Sequence, residues 1–104
     1  LIKNDFENAF SNVDVIMTPT TRGPAFEIGS KGSDPIQMYL EDLFTISANL
    51  AGLPALSLPN GFIDNKPIGL QIIGNFLEES SILNFAHMYQ SETNWHIHTP
   101  EGIK

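Results

Sequence analysis

The sequence predicts an α/β fold in which helices pack on a mixed β-sheet. Segments with helical apolar spacing alternate with short apolar runs that are typical of buried strands. Their order is helix, strand, long loop, helix, strand, strand, helix, which is that of a layered α/β unit. Three strands make a thin sheet whose two faces both need cover. We therefore expect residues 1–104 to be part of a larger domain.

The predicted strands are short. Residues 13–17 form the first, with β-branched side chains at three positions, as suits a buried strand. Residues 55–58 and 68–73 form the second and third. The Asp64-Asn65 turn signal between them predicts an antiparallel hairpin. In the third strand, Gly69 and Gly74 predict close approach of a neighbour or a bulge.

The outer helices are predicted from apolar spacing. Residues 1–11 show this spacing with no capping residue before them, so we expect the helix to begin upstream and the chain to be a piece of a longer protein. Residues 18–33 are rich in Thr, Pro, Gly and Ser and predict a long loop. Asn75 and Glu78 predict a capping box for the last helix, whose apolar face includes Ile82, Ala86 and Tyr89.

The central helix has clear predicted ends. Asp34 can cap the free amides, Pro35 suits the first helical position, and Gln37 completes a capping box. Gly52 can take the left-handed conformation that ends a helix. The sequence thus predicts one helix over residues 35–51, apolar on more than one face and therefore buried.

A polar stripe interrupts this apolar surface. Asp42, Thr45 and Asn49 stand at i, i+3 and i+7, on one side of the predicted helix. A carboxylate that faces an interior must be paired, hydrogen-bonded or in contact with a ligand. From the residues alone, Asp42 is either a structural group that caps a helix or pairs with an arginine, or a ligand-binding group.

Composition excludes several classes of function. The net charge is −7 and the five basic residues are scattered, so the chain lacks a surface suited to a phosphate backbone. Without cysteine it has no disulfide, thiolate metal site or cysteine nucleophile. The sequence contains neither an apolar run of membrane-spanning length nor a visible signal peptide. These features predict a cytoplasmic protein that does not span a membrane.

Three motifs that could suggest a catalytic or binding site are better explained without one. Ser80-Ser81 lies in a helix start without a nearby lysine, which indicates helix-terminal hydroxyls rather than nucleophiles. His96 and His98 lie in a surface tail and have no third ligand at convincing spacing, so no metal site is predicted. The spacing of the glycines in PIGLQIIG (67–74) does not match a dinucleotide-binding motif.

Four segments together resemble the amidase signature family. They are DVIMTPTT at 14–21, DPIQMYLEDLFT at 34–45, NLAGLPALSLPNG at 49–61 and PIGLQIIG at 67–74. The match runs through nearly the whole chain and corresponds to the C-terminal part of the family's fold. The MYLED run at 38–42 is most similar to the branch formed by the A subunits of tRNA-dependent amidotransferases.

The resemblance implies a glutamine-hydrolysing, ammonia-generating enzyme. In that branch, a Ser–Ser–Lys triad releases ammonia from glutamine, and subunits B and C complete the complex. The partner subunit uses ATP and Mg²⁺ to activate a misacylated tRNA, converting Glu-tRNA(Gln) to Gln-tRNA(Gln). The glutamine-hydrolysing subunit itself has no cofactor.

The resemblance also implies one site residue. Asp42 matches the family's acidic residue that holds the α-amino group of glutamine. The triad lies upstream in the family, so no catalytic residue and no metal ligand are expected within residues 1–104, and this segment alone is expected to be inactive. We do not assign Arg22 to the α-carboxylate of the substrate.

Two alternatives remain. One is a general amidase of the same family, which acts on other amides without a tRNA partner. The other is a non-catalytic scaffolding segment that docks a partner through apolar surface. Because a part of a larger domain exposes apolar faces, we also expect residues 1–104 on their own to self-associate or to be weakly folded in dilute solution.

Overall fold

A computed structural model describes residues 1–30 and 34–103 of the chain. The elements are α1 (Ile2–Phe10), β1 (Val15–Pro19), α2 (Pro35–Glu41), α3 (Ile46–Ala51), β2 (Ala55–Ile63), β3 (Lys66–Gly74), α4 (Glu79–Glu92) and a short 3₁₀ helix (Trp95–Ile97). The last three residues of the predicted loop, 31–33, lie outside the described residues. In the part of the chain that is described, no helix is long and apolar enough to cross a membrane.

The α/β class is confirmed, with a sheet in the order β1-β3-β2. Both pairings among the described strands are antiparallel. The β2–β3 hairpin is confirmed. Asp64 and Asn65 form its turn with φ of 52° and 63°, and two consecutive positive values give the turn the twist that a two-residue hairpin needs.

The strand bounds differ from those predicted, and β1 begins at Val15 instead of Val13. β1 includes Thr18 and Pro19, which were predicted to open the loop, and β2 continues to Ile63 instead of ending at Leu58. The pairing register of β2 with β3 shifts between Pro59 and Phe62. A bulge there lets the strand pass through the Pro-Asn-Gly sequence that was predicted to end it.

One sheet face packs against α4. Leu58 and Ile72 of the sheet and Ile82 of the helix form its buried centre. Partly buried apolar side chains surround them: Val15, Leu56, Leu70, Phe85, Ala86 and Tyr89. Ile72, on the central strand β3, is fully buried in this packing. The core between α4 and the sheet is therefore centred on β3.

On the opposite sheet face, Gln71 bonds to the turn that precedes α3, and Ala48 and Ala51 of α3 are buried. Helix α1 packs in turn against α3. Gly52 ends α3 with φ of 71° and ψ of 35°, the left-handed conformation that was predicted for it.

The prediction of one central helix over residues 35–51 is wrong. Its start is as predicted, since the carboxylate of Asp34 accepts from the amides of Ile36 and Gln37. At Asp42, however, φ of −97° and ψ of 6° end α2, and a turn precedes α3. The side chain of Thr45 donates to the carbonyl of Asp42 at 3.3 Å, a local bond of the kind that competes with continuous helix.

The central helices are also less buried than predicted. Ile36 and Leu50 are 70% and 66% exposed. The polar stripe does not exist as a face of one helix, because Asp42 ends α2 whereas Asn49 lies within α3. Both of these polar residues are exposed.

The capping box predicted for the last helix is not formed. The helix begins at Glu79, and Glu78 takes the cap position without a side-chain cap bond. Just before it, Leu77 has φ of 61°, a left-handed conformation that excludes helix at that point. The side chain of Asn75 instead accepts from the amide of Phe76 at 2.8 Å.

Candidate functional site

A polar band crosses the sheet face opposite α4. Thr18 of β1, Gln71 of β3 and Ser57 of β2 are directly paired across the three strands. Because side chains alternate between faces along a strand, this register places the three polar groups side by side. The band lies between the sheet and the turn that connects α2 to α3.

Gln71 is the centre of this band. It is 4% exposed and is the only buried polar side chain in residues 1–30 and 34–103. Its Nε2 donates to Thr18 Oγ1 at 2.9 Å and to the carbonyl oxygen of Phe44 at 2.7 Å. Both amide hydrogens are therefore used, and the second bond ties the α2–α3 turn to the sheet.

That turn carries Asp42. The carbonyl of Asp42 accepts from the amides of Thr45 and Ile46, each at 3.2 Å. The carboxylate is exposed, and among the described residues it makes no hydrogen bond and no ion pair. The structure thus presents the carboxylate of Asp42 as an anion at a helix end rather than as a group facing an interior.

Glu41, the neighbouring acidic residue, forms an ion pair, unlike Asp42. Its Oε1 lies 3.5 Å from Nε of Arg22, and its side chain is only 15% exposed. The guanidinium of Arg22 also donates through Nη2 to Oε1 of Gln37. Arg22 therefore contacts two residues of α2, and Glu41 is a salt-bridged residue.

A hydroxyl pair continues the polar band. Thr20 Oγ1 lies 2.7 Å from Ser57 Oγ, within hydrogen-bonding distance. Gly69 makes room for the pair, since a Cβ there would lie 2.8 Å from both oxygens. This confirms the close approach predicted at that glycine.

The serine and histidine motifs, which were not predicted to form a site, make local structural contacts. Ser81, in the first turn of α4, donates to Oε2 of Glu78 at 3.1 Å. His98 stacks on Trp95, with ring centroids 6.2 Å apart, and meets Phe62 edge to face. Within the described ranges, no three His, Cys, Asp or Glu side chains are placed to hold a metal ion.

Sequence reasoning selected Asp42 as a candidate site residue but missed what supports its turn. Gln71 makes the packing hydrogen bonds that a polar residue in a buried strand needs, and its partners are Thr18 and the carbonyl of Phe44. The available signal was a single amide within the apolar PIGLQIIG run, because a polar residue in a buried strand needs hydrogen-bond partners.

The chain has close relatives among curated proteins. It is 59% identical over all 104 residues to the A subunit of glutamyl-tRNA(Gln) amidotransferase from Saccharophagus degradans. Over the same length it is 59% identical to the protein of the same name from Cellvibrio japonicus. In both comparisons it spans 22% of the relative's length.

Solved structures give the same relationship. The corresponding glutamyl-tRNA(Gln) amidotransferase protein of Thermotoga maritima, also an A subunit, matches with a TM-score of 0.84 and 40% identity, covering 88% of this chain and 20% of that one. A 6-aminohexanoate cyclic dimer hydrolase matches with a TM-score of 0.81 and 27% identity, covering 95% of this chain and 23% of that one. A family model described as amidase matches residues 1–83. The resemblance found in the sequence is thereby confirmed, and the chain belongs to the amidase family.

Proposed function

We propose that this chain is part of the glutamine-hydrolysing A subunit of a tRNA-dependent amidotransferase. The observation that carries the proposal is 59% identity, over the whole chain, to a protein named as such a subunit. Identity to the Thermotoga maritima protein is 40%, against 27% for the cyclic dimer hydrolase. The sequence is thus more similar to the amidotransferase branch than to that amide hydrolase.

Within this function, Asp42 binds the α-ammonium group of glutamine. Its carboxylate is exposed and has no partner among the described residues, so it is available to a cationic group. A carboxylate that accepts from an ammonium group forms a charge-assisted hydrogen bond, which is stronger than a neutral one. An amide substrate without an α-amino group does not offer this interaction, and Asp42 thereby provides selectivity for glutamine.

The bond-breaking groups of the proposed reaction lie outside this chain. A serine nucleophile attacks the side-chain amide carbon of glutamine, ammonia leaves with the added proton, and water then releases glutamate from the acyl-enzyme. Subunits B and C complete the complex, and the partner subunit uses ATP and Mg²⁺ to activate the misacylated Glu-tRNA(Gln). Ammonia then converts the activated glutamyl group to glutaminyl.

Reconstitution tests this proposal. The full-length protein that contains this chain, assembled with subunits B and C, should release glutamate from glutamine and form Gln-tRNA(Gln) from Glu-tRNA(Gln) with ATP and Mg²⁺. The comparison substrate is glutaramate, which is glutamine without its α-amino group. Equal hydrolysis of both amides, independent of the other subunits and of tRNA, would instead establish a general amidase. A stable complex that hydrolyses neither amide would indicate that the protein has only a scaffolding role.

A second prediction concerns residues 1–104 on their own. Large apolar side chains on several elements are exposed, among them Ile36, Leu50 and Phe76 at 70%, 66% and 60%. Contiguous exposed apolar surface favours association, so we expect sedimentation velocity to reveal oligomers that grow with concentration. The double variant Ile36→Lys/Leu50→Lys should reduce this association. A monomeric wild-type segment with a sharp thermal transition would contradict the prediction.

A further inference from the structure

Gln71 connects two parts of the chain that are distant in sequence. It lies on the central strand, 27 positions from Phe44, whose carbonyl accepts its Nε2 hydrogen bond at 2.7 Å. Phe44 belongs to the turn between α2 and α3, which also contains Asp42. The amide of Gln71 is therefore the link between the rigid sheet and the segment that carries the exposed carboxylate.

The turn between α2 and α3 lacks the regular hydrogen bonds of a continuous helix, so the bond from Gln71 contributes to holding it in place. In a continuous helix, the carbonyl of Phe44 would accept from the amide four residues later. The turn at 42–45 interrupts that series, and its local bonds, from the amides of Thr45 and Ile46 to the carbonyl of Asp42, join only neighbouring residues. The bond from Gln71 is the side-chain bond that joins this turn to the sheet.

Thr18 fixes the orientation of the Gln71 amide. Its Oγ1 accepts the other hydrogen of Nε2 at 2.9 Å and itself donates to the carbonyl of Pro19, also at 2.9 Å. A buried amide with both hydrogens engaged has one preferred rotamer, because turning it would leave polar groups unpaired. Thr18 and Gln71 thus form a preorganised support for the turn.

We propose that Gln71 is a positioning residue for glutamine selectivity, because it holds the turn that presents Asp42 to the substrate. This inference rests on the proposed role of Asp42. Gln71 acts through Asp42 and does not touch the substrate. Its contribution is therefore confined to substrates with an α-amino group and disappears when the carboxylate of Asp42 is absent.

The test uses the full-length protein in its assembled complex. Gln71→Met keeps the side-chain length and removes both donors, and it should lower kcat/KM for glutamine about tenfold. The loss should appear mainly as a higher KM, while kcat/KM for glutaramate changes less than about twofold. In an Asp42→Ala background, the same substitution should change kcat/KM for glutamine less than about twofold.

Two further variants separate positioning from general stability. Ser57→Ala breaks the hydroxyl pair on the same sheet face but leaves the bonds of Gln71 in place, so it should not change the preference for glutamine over glutaramate. Thr18→Val removes the hydroxyl that accepts from Gln71, together with its own bond to the carbonyl of Pro19. It should cause a smaller, glutamine-specific loss of kcat/KM. If Gln71→Met does not fold, Thr18→Val is the variant that tests the proposal.

The outcomes distinguish the two proposals. An equal loss on both substrates with Gln71→Met, or a glutamine-specific loss that persists undiminished in the Asp42→Ala background, would overturn the role of Gln71. A glutamine-specific effect of Asp42→Ala without one of Gln71→Met would do the same and leave the role of Asp42 intact. If Asp42→Ala itself has no effect on glutamine, the role of Asp42 fails and the role of Gln71 fails with it.

Discussion

Replacement of Asp42 by alanine in the full-length protein, assembled in its complex, should lower kcat/KM for glutamine by roughly 100-fold to 1,000-fold. This range corresponds to about 3 to 4 kcal/mol, as expected when one partner is removed from a hydrogen-bonded charge pair that the bound substrate and the rest of the full-length protein shield from water. kcat/KM for glutaramate should change little, because that substrate has no ammonium group for Asp42 to bind. Steady-state kinetics on both substrates measure the difference.

Two controls identify the charge of Asp42 as the cause. Asp42→Asn keeps the size of the side chain and its place at the end of α2, so it should lose nearly as much as Asp42→Ala if charge is what matters. Glu41→Gln neutralises the adjacent acid, which pairs with Arg22, and should leave the preference for glutamine unchanged. Equal losses on glutamine and glutaramate with Asp42→Ala would make Asp42 a structural or general active-site residue.

The parts of the fold that the sequence predicted are those determined by local interactions. Asp34 caps the amides of Ile36 and Gln37, only two and three residues away. Gly52 and the Asp64-Asn65 turn take the left-handed conformations that their residue types favour. Each of these features depends on a few consecutive residues, and a single sequence contains that information.

The interrupted central helix could not be predicted in the same way. Its apolar spacing is continuous through residues 35–51, and none of the residues between 42 and 45 is glycine or proline. What accompanies the interruption is a bond from Gln71, which lies 27 positions further along. Tertiary contacts of this kind override local helix propensity, and they become visible only when the strands have been placed.

The candidate site also has a part that the sequence predicted and a part that it did not. Asp42 was found because the MYLED run resembles the amidotransferase branch, and its assignment to glutamine stays a prediction. Its surroundings were wrongly predicted, because the stripe of Asp42, Thr45 and Asn49 assumes a continuous, buried helix. The hydroxyl pair of Thr20 and Ser57, 37 residues apart, likewise follows from the strand register and not from either residue's neighbours.

The second large effect is expected at Gly74, where β3 passes beneath α4. A Cβ at this position would lie 2.5 Å from Cγ2 of Ile82, 3.4 Å from the carbonyl oxygen of Glu78 and 3.6 Å from Cγ of Pro54. Ile82 is 4% exposed and belongs to the core, so it has little room to move. Gly74→Ala should therefore lower the free energy of unfolding of the full-length protein by about 2 to 3 kcal/mol, the cost of overpacking a core.

Chemical denaturation of matched variants tests this explanation. Gly23→Ala is the control, because a Cβ there meets nothing within 4 Å, and it should change the free energy of unfolding by less than about 0.5 kcal/mol. Ile82→Ala removes the methyl group that a Cβ at position 74 would strike. The double variant Gly74→Ala/Ile82→Ala should thus be more stable, by about 1 kcal/mol or more, than the sum of the single changes predicts. Strict additivity would mean that Gly74 is required for its backbone and not for the space it leaves to Ile82.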